Sequence, residues 1–212
     1  MDANFWHRKW HENEIGFHQN EVNPLLIEYF SQLSLNKGSR IFIPLCGKTL
    51  DIAWLMNNGY RVVGAELSEK AVSQLFVELG VKPQILKVGK LELYTATNIE
   101  IFVGDIFNMT NNKLGLIDAI YDRAALVALP YAMRKNYTEL LKKITNKTKL
   151  LLICLEYDQS IVDGPPFSIS KEELNIHFAE SYDLTLLKST NIPGGLKGKY
   201  AAKENVWLLE IT

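Results

Sequence analysis

A short polar loop between two more apolar segments is the first place in this sequence where a ligand could be held. Pro44-Leu45-Cys46-Gly47-Lys48-Thr49 follows a run typical of a buried strand and leads into a segment with helical character. Free backbone N–H groups at a helix start can face a carboxylate or another anion. The loop lacks the several glycines usual in nucleotide-binding loops, so a tight turn that binds nothing is the alternative.

Glu66 ends the next predicted strand. It lies about 20 residues beyond the loop, the distance at which an acidic side chain can accept hydrogen bonds from both hydroxyls of a ribose. The alternative is a charge at the start of the helix that follows Ser68, where the helix dipole favours an acidic side chain.

Gly104-Asp105-Ile106-Phe107 follows a strand that ends at Val103. Asp105 could accept a hydrogen bond from the amino group of an adenine while Ile106 packs against its ring. A plain turn is the alternative, because acidic residues are common in turns.

Asp122 and Arg123 are opposite charges at the mouth of a buried strand, where desolvated charges need partners. They could pair with each other and have no ligand role. Adjacent residues of a strand point to opposite faces, which weakens that alternative. Arg123 could instead present its planar guanidinium to a ligand or to an electron-rich substrate.

The elements that must position these residues alternate along the chain. Strands are predicted at residues 40–45, 61–66, 91–95, 100–103, 117–121, 149–155, 184–189 and 205–211. Helices are predicted at residues 24–33, 49–58, 69–79, 131–144 and 171–179, with Ser68 and Ser170 as N-caps. The pattern predicts a doubly wound α/β sheet that ends in an antiparallel hairpin. Ligands bind such sheets at the carboxyl ends of the strands.

The 212 residues fit one domain spanning residues 1–212, and residues 1–20 read as an irregular arm. A net charge of −1 argues against nucleic-acid binding and against attraction to an anionic membrane. Cys46 and Cys154 lie in apolar runs and are read as reduced, and no signal peptide is recognised at the start, so a cytoplasmic protein is expected. A monomer is expected because no long heptad pattern or apolar patch is legible.

Taken together, these segments resemble the thiopurine S-methyltransferase family. The matching stretches are Phe5-Trp6-His7-Arg8-Lys9-Trp10, Ile41-Phe42-Ile43-Pro44-Leu45-Cys46-Gly47-Lys48-Thr49-Leu50-Asp51, Val63-Gly64-Ala65-Glu66-Leu67-Ser68, Gly104-Asp105-Ile106-Phe107, Tyr121-Asp122-Arg123-Ala124-Ala125-Leu126-Val127-Ala128-Leu129 and Gly164-Pro165-Pro166-Phe167. They follow in order along nearly the whole chain. The resemblance implies the mostly parallel, seven-stranded Rossmann-like sheet of methyltransferases that depend on S-adenosylmethionine (SAM).

The resemblance also implies a site. SAM contacts are implied for Trp10, Leu45, Glu66, Ile106 and Arg123. Phe17 and Arg123 would face the methyl acceptor, a small thiol, thiopurine, or selenium or tellurium compound. Trp10 could instead only pin the arm to the core, since tryptophan is usually buried for packing.

Methyl transfer from a sulfonium needs donor and acceptor held in line, and the leaving group departs without protonation. A thiol acceptor reacts as its thiolate, and the positive charge of Arg123 would favour that anion. For this reason no general base is assigned. The arm from Phe5 to Gln19 would fold over the cofactor as a lid, with Gly16 as its bending point.

Three other functions remain open. His7, His11 and His18, with Glu12 and Glu14, could bring metal ligands together, although no strong zinc pattern accompanies them. A non-catalytic module that binds SAM, or a halide or thiol methyltransferase with a related sheet, would share the same cofactor loops.

Overall fold

Nine strands form a single sheet in the computed structural model, which describes residues 3–212. The strands are β1 (Arg40–Pro44), β2 (Arg61–Glu66), β3 (Gln84–Val88), β4 (Leu91–Ala96), β5 (Ile99–Val103), β6 (Ala119–Arg123), β7 (Lys149–Tyr157), β8 (Tyr182–Asn191) and β9 (Ala202–Ile211). Their order is β3-β4-β5-β2-β1-β6-β7-β9-β8. The strands from β5 to β7 run parallel, and antiparallel hairpins extend the sheet at both ends.

The doubly wound sheet and its C-terminal hairpin are confirmed. The sheet has nine strands, however, whereas the family resemblance implied seven and the sequence pattern predicted eight. The strand that the sequence pattern missed is β3, at the edge of the sheet. Its side chains are mostly exposed, so no alternation of buried and exposed positions marks it. The fourth parallel strand in chain order, β6, also lies two residues later than predicted, and it therefore includes Asp122 and Arg123.

Helices cover both faces of the sheet. They are α1 (Ala3–His11), α2 (Pro24–Tyr29), α3 (Asp51–Asn57), α4 (Glu69–Glu78), α5 (Asn111–Leu114), α6 (Tyr131–Ile144) and α7 (Lys171–Phe178). Residues from α2, α3 and α4 share one core cluster with Ile41, Tyr121 and Ile153. Residues from α6 and α7 share the other cluster with Phe42 and Leu152. Burial on both faces explains the nearly continuous apolar sequence of β7.

The prediction of an irregular arm was wrong for its first half. Residues 3–11 form α1, which buries Trp10, whereas the chain from Glu12 to Asn23 is irregular. Met1 and Asp2, which the predicted arm included, lie outside the described residues. Lys70 of α4 donates to the carbonyl oxygen of His11 at 3.1 Å. A helix this short is marginal in isolation, so its contacts with the rest of the fold stabilise it.

The predicted helix caps are confirmed. The Ser68 hydroxyl accepts from the Ala71 N–H at 3.3 Å, and the Ser170 hydroxyl accepts from the Glu173 N–H at 3.2 Å. Pro24 stands in the first turn of α2, as expected of a residue without an N–H donor. Helix α3 starts at Asp51, two residues later than predicted. Within the described residues, no helix is long and apolar enough to cross a membrane.

Candidate active site

The carboxyl ends of the parallel strands meet at one edge of the sheet, and strand order reverses between β1 and β6. A cavity of about 760 Å³ opens at this edge between α1 and the ends of β2 and β5. Its lining comprises His7, Arg8, His11, Leu67, Ser68, Glu69, Lys70, Val103 and Gly104. Cavities of this size hold small molecules and cofactors. A cavity large enough for a ligand therefore lies at the carboxyl ends of the strands, where a sheet of this kind is expected to bind one.

Glu66 is a buried carboxylate beside this cavity, only 6% exposed. Its Oε2 accepts from the Gly47 N–H and its Oε1 from the Ser68 N–H, both at 2.8 Å. Burial raises the pKa of Glu66, and the backbone donors of Ser68, Gly47 and Leu67 oppose that rise. A carboxylate has about four acceptor positions, so capacity remains for ligand hydroxyls. A charge that served only the following helix would not need the contact with Gly47.

The loop after β1 has an unusual backbone. Leu45 and Gly47 both have positive φ, of 46° and 54°. A non-glycine residue in this region is strained, and such strain concentrates at functional sites. The Gly47 N–H of this loop donates to the Glu66 carboxylate. The loop is therefore organised around Glu66. The helix predicted to begin at Thr49, whose free N–H groups could have faced an anion, begins only at Asp51.

Trp10 lies directly on this loop. A Cβ atom built at Gly47 would lie 3.1 Å from Cζ2 of the Trp10 indole, so any larger residue would require the ring to shift by a few tenths of an ångström. Trp10 is buried, and its ring packs edge-to-face against Phe17 with centroids 5.5 Å apart. Phe17 makes a similar contact with Trp6 and is 39% exposed. The fold thus places Trp10 and Phe17, two of the predicted site residues, close to the loop. Trp10 also holds the arm against the core, which is the packing role considered as the alternative to cofactor binding.

Asp105 and Ile106 follow the strand end that lines the cavity. The Asp105 side chain is exposed and accepts from the Phe107 N–H at 3.0 Å, which caps a short 3₁₀ turn at Ile106–Asn108. Ile106 is buried in the core cluster that contains Phe42 and Phe102. Asp105 therefore has the structural role in a turn that was the alternative to adenine binding.

Asp122 and Arg123 point to opposite faces of the sheet, so the two side chains do not form the ion pair considered above. Asp122 is 1% exposed. It accepts from the Tyr137 hydroxyl at 2.7 Å and from the Leu126 N–H at 3.1 Å. Burial raises the pKa of Asp122 to about 6. Asp122 is thus held by groups of the α6 face, away from Arg123.

Arg123 faces the other side, where it meets Asp51. Its Nη1 lies 3.7 Å from Oδ2 of Asp51, a carboxylate that is completely buried. The Tyr121 hydroxyl donates to the same oxygen at 3.0 Å. Sequence reasoning missed both Asp51 and Tyr121. The spacing of Tyr121 and Arg123, two apart on a strand, was the signal that could have placed them on one face.

His18 belongs to the same region. Burial lowers its pKa first, and the positive charges of Lys48 and Arg123 lower it further. Lys48 pairs with Glu78 of α4 at 2.6 Å. His7 and His11 line the cavity, and among residues 3–212 no three His, Cys, Asp or Glu side chains are grouped so as to hold a metal ion.

The doubly wound sheet, with a buried acidic residue at the end of β2 bonded to the loop after β1, defines a protein of the SAM-dependent methyltransferase class. A SAM-dependent methyltransferase from Anabaena variabilis has the same fold, with a TM-score of 0.65 and 16% identity, over 99% of this chain and 95% of that one. The Burkholderia thailandensis 1,6-didemethyltoxoflavin-N1-methyltransferase, solved with S-adenosylhomocysteine, also gives 0.65, at 13% identity, over 98% and 87%.

The chain belongs to the thiopurine S-methyltransferase family, whose family model matches residues 1–210. A relative named thiopurine S-methyltransferase from Xanthobacter autotrophicus is 47% identical over 211 residues, covering 99% of both chains. Another of that name, from Teredinibacter turnerae, is 49% identical over 209 residues, covering 99% of this chain and 97% of the relative.

Proposed function

We propose that this protein transfers the methyl group of SAM to the sulfur, or the selenium or tellurium, of a small acceptor such as a thiopurine or a simple thiol. The observation that carries the proposal is Glu66, a buried carboxylate with spare acceptor capacity that directly precedes Leu67 and Ser68 in the wall of a cavity of about 760 Å³. Family membership and the names of the relatives support sulfur as the methylated atom.

The residues of the cavity edge suit SAM. We assign the ribose hydroxyls to Glu66, because charge-assisted hydrogen bonds to a buried carboxylate are strong. We assign further cofactor contacts to Trp10, Leu45, Asp105, Ile106 and Arg123. The position of Trp10 on Gly47 supports its part in this set. When bound, SAM supplies an electrophilic methyl group, and its sulfonium becomes the thioether of S-adenosylhomocysteine.

Arg123 and Phe17 form the acceptor side of the proposal. The acceptor thiol loses its proton to solvent, its sulfur forms the new bond to the methyl carbon, and the bond from that carbon to the donor sulfur breaks. Arg123, whose side chain is 12% exposed, would stabilise the thiolate by its positive charge. Phe17, partly exposed on the arm, would pack against an apolar or aromatic acceptor. No protein base is needed, because the thiol has already lost its proton to solvent, and no protein acid is needed, because the leaving thioether takes up no proton.

Residues 1–20 are proposed to act as a lid on a single domain of residues 1–212. The support comes from α1, which supplies His7, Arg8 and His11 to the cavity wall. A lid that excludes water would favour the reaction by removing competing solvent from the reacting atoms.

We also propose a cytoplasmic, monomeric protein. Cys46 and Cys154 are both free and buried, as in proteins of reducing compartments. The exposed large apolar side chains of the described residues are spread over several elements, among them Ile27 of α2 and Ile176 of α7. Scattered apolar residues of this kind do not make an interface.

Calorimetric titration with SAM tests the cofactor assignment. The wild type should bind SAM with one-to-one stoichiometry, and Glu66→Gln should bind at least tenfold more weakly, because an amide oxygen accepts ribose hydrogen bonds less strongly than a charged carboxylate. Glu100→Gln is the matched control, since Glu100 pairs with Arg40 at the opposite edge of the sheet. Absence of SAM binding by the wild type would overturn the proposal.

The acceptor is tested by offering the SAM-loaded protein a thiopurine, an alkyl thiol, selenite, tellurite and iodide under identical conditions. Methylation of the sulfur, selenium or tellurium compounds is the expected result. Preferential methylation of iodide would identify a halide methyltransferase instead, and SAM binding without any methyl transfer would identify a non-catalytic module.

A further inference from the structure

Asp51 is a completely buried carboxylate that joins the base of the arm to the acceptor side of the site. Its Oδ1 accepts from the backbone N–H of Asn23 at 2.8 Å, at the point where the irregular arm enters α2. Its Oδ2 accepts from the Tyr121 hydroxyl at 3.0 Å and lies 3.7 Å from Nη1 of Arg123. One side chain of α3 therefore contacts two segments that are distant from it in the sequence, the start of α2 and strand β6.

The 3.7 Å separation is longer than a charge-assisted hydrogen bond, which is typically about 2.7–2.9 Å. Tyr121 gives a reason for this length. Tyr121 and Arg123 are two residues apart on β6, so both side chains leave the same face and reach the same oxygen. The hydroxyl takes the closer position on Oδ2, and the guanidinium is held nearby without full engagement.

We propose that Asp51 and Tyr121 are positioning residues for Arg123. Asp51 attracts the guanidinium and sets its direction, while the Tyr121 hydroxyl prevents it from closing onto the carboxylate. The other donors of the guanidinium stay turned toward the acceptor. This inference rests on the proposed acceptor role of Arg123.

Other charged groups share this face. Glu204 of β9 lies opposite Leu155 of β7, one row beyond Ile153, which pairs with Arg123. The positive charge of Arg123 opposes the rise that burial causes in the pKa of Glu204. His18 approaches from the arm. Arg123 is thus attracted by two carboxylates, Asp51 and Glu204. The Tyr121 hydroxyl limits how closely the guanidinium approaches Asp51.

Tyr121→Phe is the test, with Tyr137→Phe as a matched control. Both tyrosines are fully buried and donate to a buried carboxylate, one on each face of β6. Without the hydroxyl at residue 121, Arg123 should move about 1 Å closer to Asp51, and a displacement of that size can cost up to about 100-fold in rate. We expect kcat at saturating SAM and acceptor to fall at least tenfold in Tyr121→Phe, and the SAM dissociation constant to change less than kcat does, because Arg123 is only one of several assigned cofactor contacts. Tyr137→Phe should keep kcat within twofold.

A double variant shows whether Tyr121 acts through Arg123. In an Arg123→Ala background, where kcat is already reduced, Tyr121→Phe should change the remaining rate less than twofold. An equal loss in both backgrounds, or equal rates for Tyr121→Phe and Tyr137→Phe, would overturn the inference while leaving the proposed function intact. If Arg123→Ala itself keeps the wild-type rate, the acceptor role of Arg123 is wrong and the inference falls with it.

Should Tyr121→Phe not fold, Asp51→Asn gives the same decision. It removes the charge that orients Arg123 while preserving the side-chain shape. The expected result is again a fall in kcat of at least tenfold with a smaller change in SAM affinity, and a wild-type kcat would contradict the proposal.

Discussion

Two neighbouring residues of β6 show how the partners on each face of a strand decide the surroundings of a buried charge. Asp122 is held by the Tyr137 hydroxyl and the Leu126 N–H, both uncharged donors. Burial is the largest influence on Asp122 and raises its pKa from the ordinary value of 3.8 to about 6. Arg123, one residue later, faces a carboxylate instead. The difference follows from the alternation of side chains along a strand.

The raised pKa of Asp122 makes the stability of the protein depend on pH. The folded state binds this proton more tightly than the unfolded chain, so the stabilising contribution is complete below pH 3.8 and is lost as the pH rises through about 6. The asparagine of Asp122→Asn does not titrate. The free energy of unfolding of this variant minus that of the wild type should therefore be more positive at pH 7 than at pH 4.5, by roughly 2 kcal/mol. Urea denaturation at the two pH values measures this difference. Asp183→Asn, at an exposed position of β8, is the control, and a pH-independent difference for Asp122→Asn would show that its carboxyl group is not perturbed.

At the scale of elements, the arm is the part of the fold with the weakest local support. Helix α1 has nine residues, and its attachment depends on Trp10 over Gly47 and on Lys70 at the His11 carbonyl oxygen. The chain between α1 and α2 has no regular structure to hold it in place. Local opening of such a segment costs little free energy, which suits a lid.

Trypsin should therefore cut the arm faster without SAM than with it. Arg8 and Lys9 are the cleavage positions on α1, and Arg8 also lines the cavity. We expect saturating SAM to slow cleavage at these positions at least fivefold, as followed by mass spectrometry. Cleavage after Lys147, exposed in the turn before β7 at the other edge of the sheet, provides the internal reference and should not change. Equal protection of the arm in both states would rule out the lid.

At the scale of the whole molecule, the site is assembled from loops that belong to distant parts of the sheet. The cavity joins α1 to the ends of β2 and β5, and Glu66 joins β2 to the loop after β1. A ligand bound there contacts the folded chain only, because unfolding separates these segments. SAM should consequently stabilise the entire domain by mass action.

The size of that stabilisation is predictable. At a SAM concentration of about 100 times its dissociation constant, the gain is about 2.7 kcal/mol. For a chain of this length, that gain raises the Tm by about 5–10 °C. Thermal denaturation of the wild type and Glu100→Gln should show the shift, whereas Glu66→Gln at the same SAM concentration should show much less. The same shift in all three proteins would mean that Glu66 does not bind the ligand.

Much of the site could be predicted from the sequence because its signals are local. Strand and helix periodicities set the order of the elements, and serine caps marked the starts of α4 and α7. The residues that follow each strand could be identified as candidates because parallel strands end at one edge of the sheet. Glu66 and Arg123 became candidate site residues in this way, and the resemblance to the family added Trp10 and Phe17 as further candidates.

Tertiary structure alone decided which of these residues meet. The bond between Asp51 and Tyr121 joins positions 70 residues apart, and the packing of Trp10 on Gly47 joins the arm to the first loop. Edge strand β3 escaped prediction because its side chains are mostly exposed and show no alternation. Helix α1 is amphipathic, but it is short and its sequence was read as an irregular arm. Local sequence signals therefore identified the candidate residues and the family resemblance implied the cofactor, whereas long-range packing determined the geometry around Arg123.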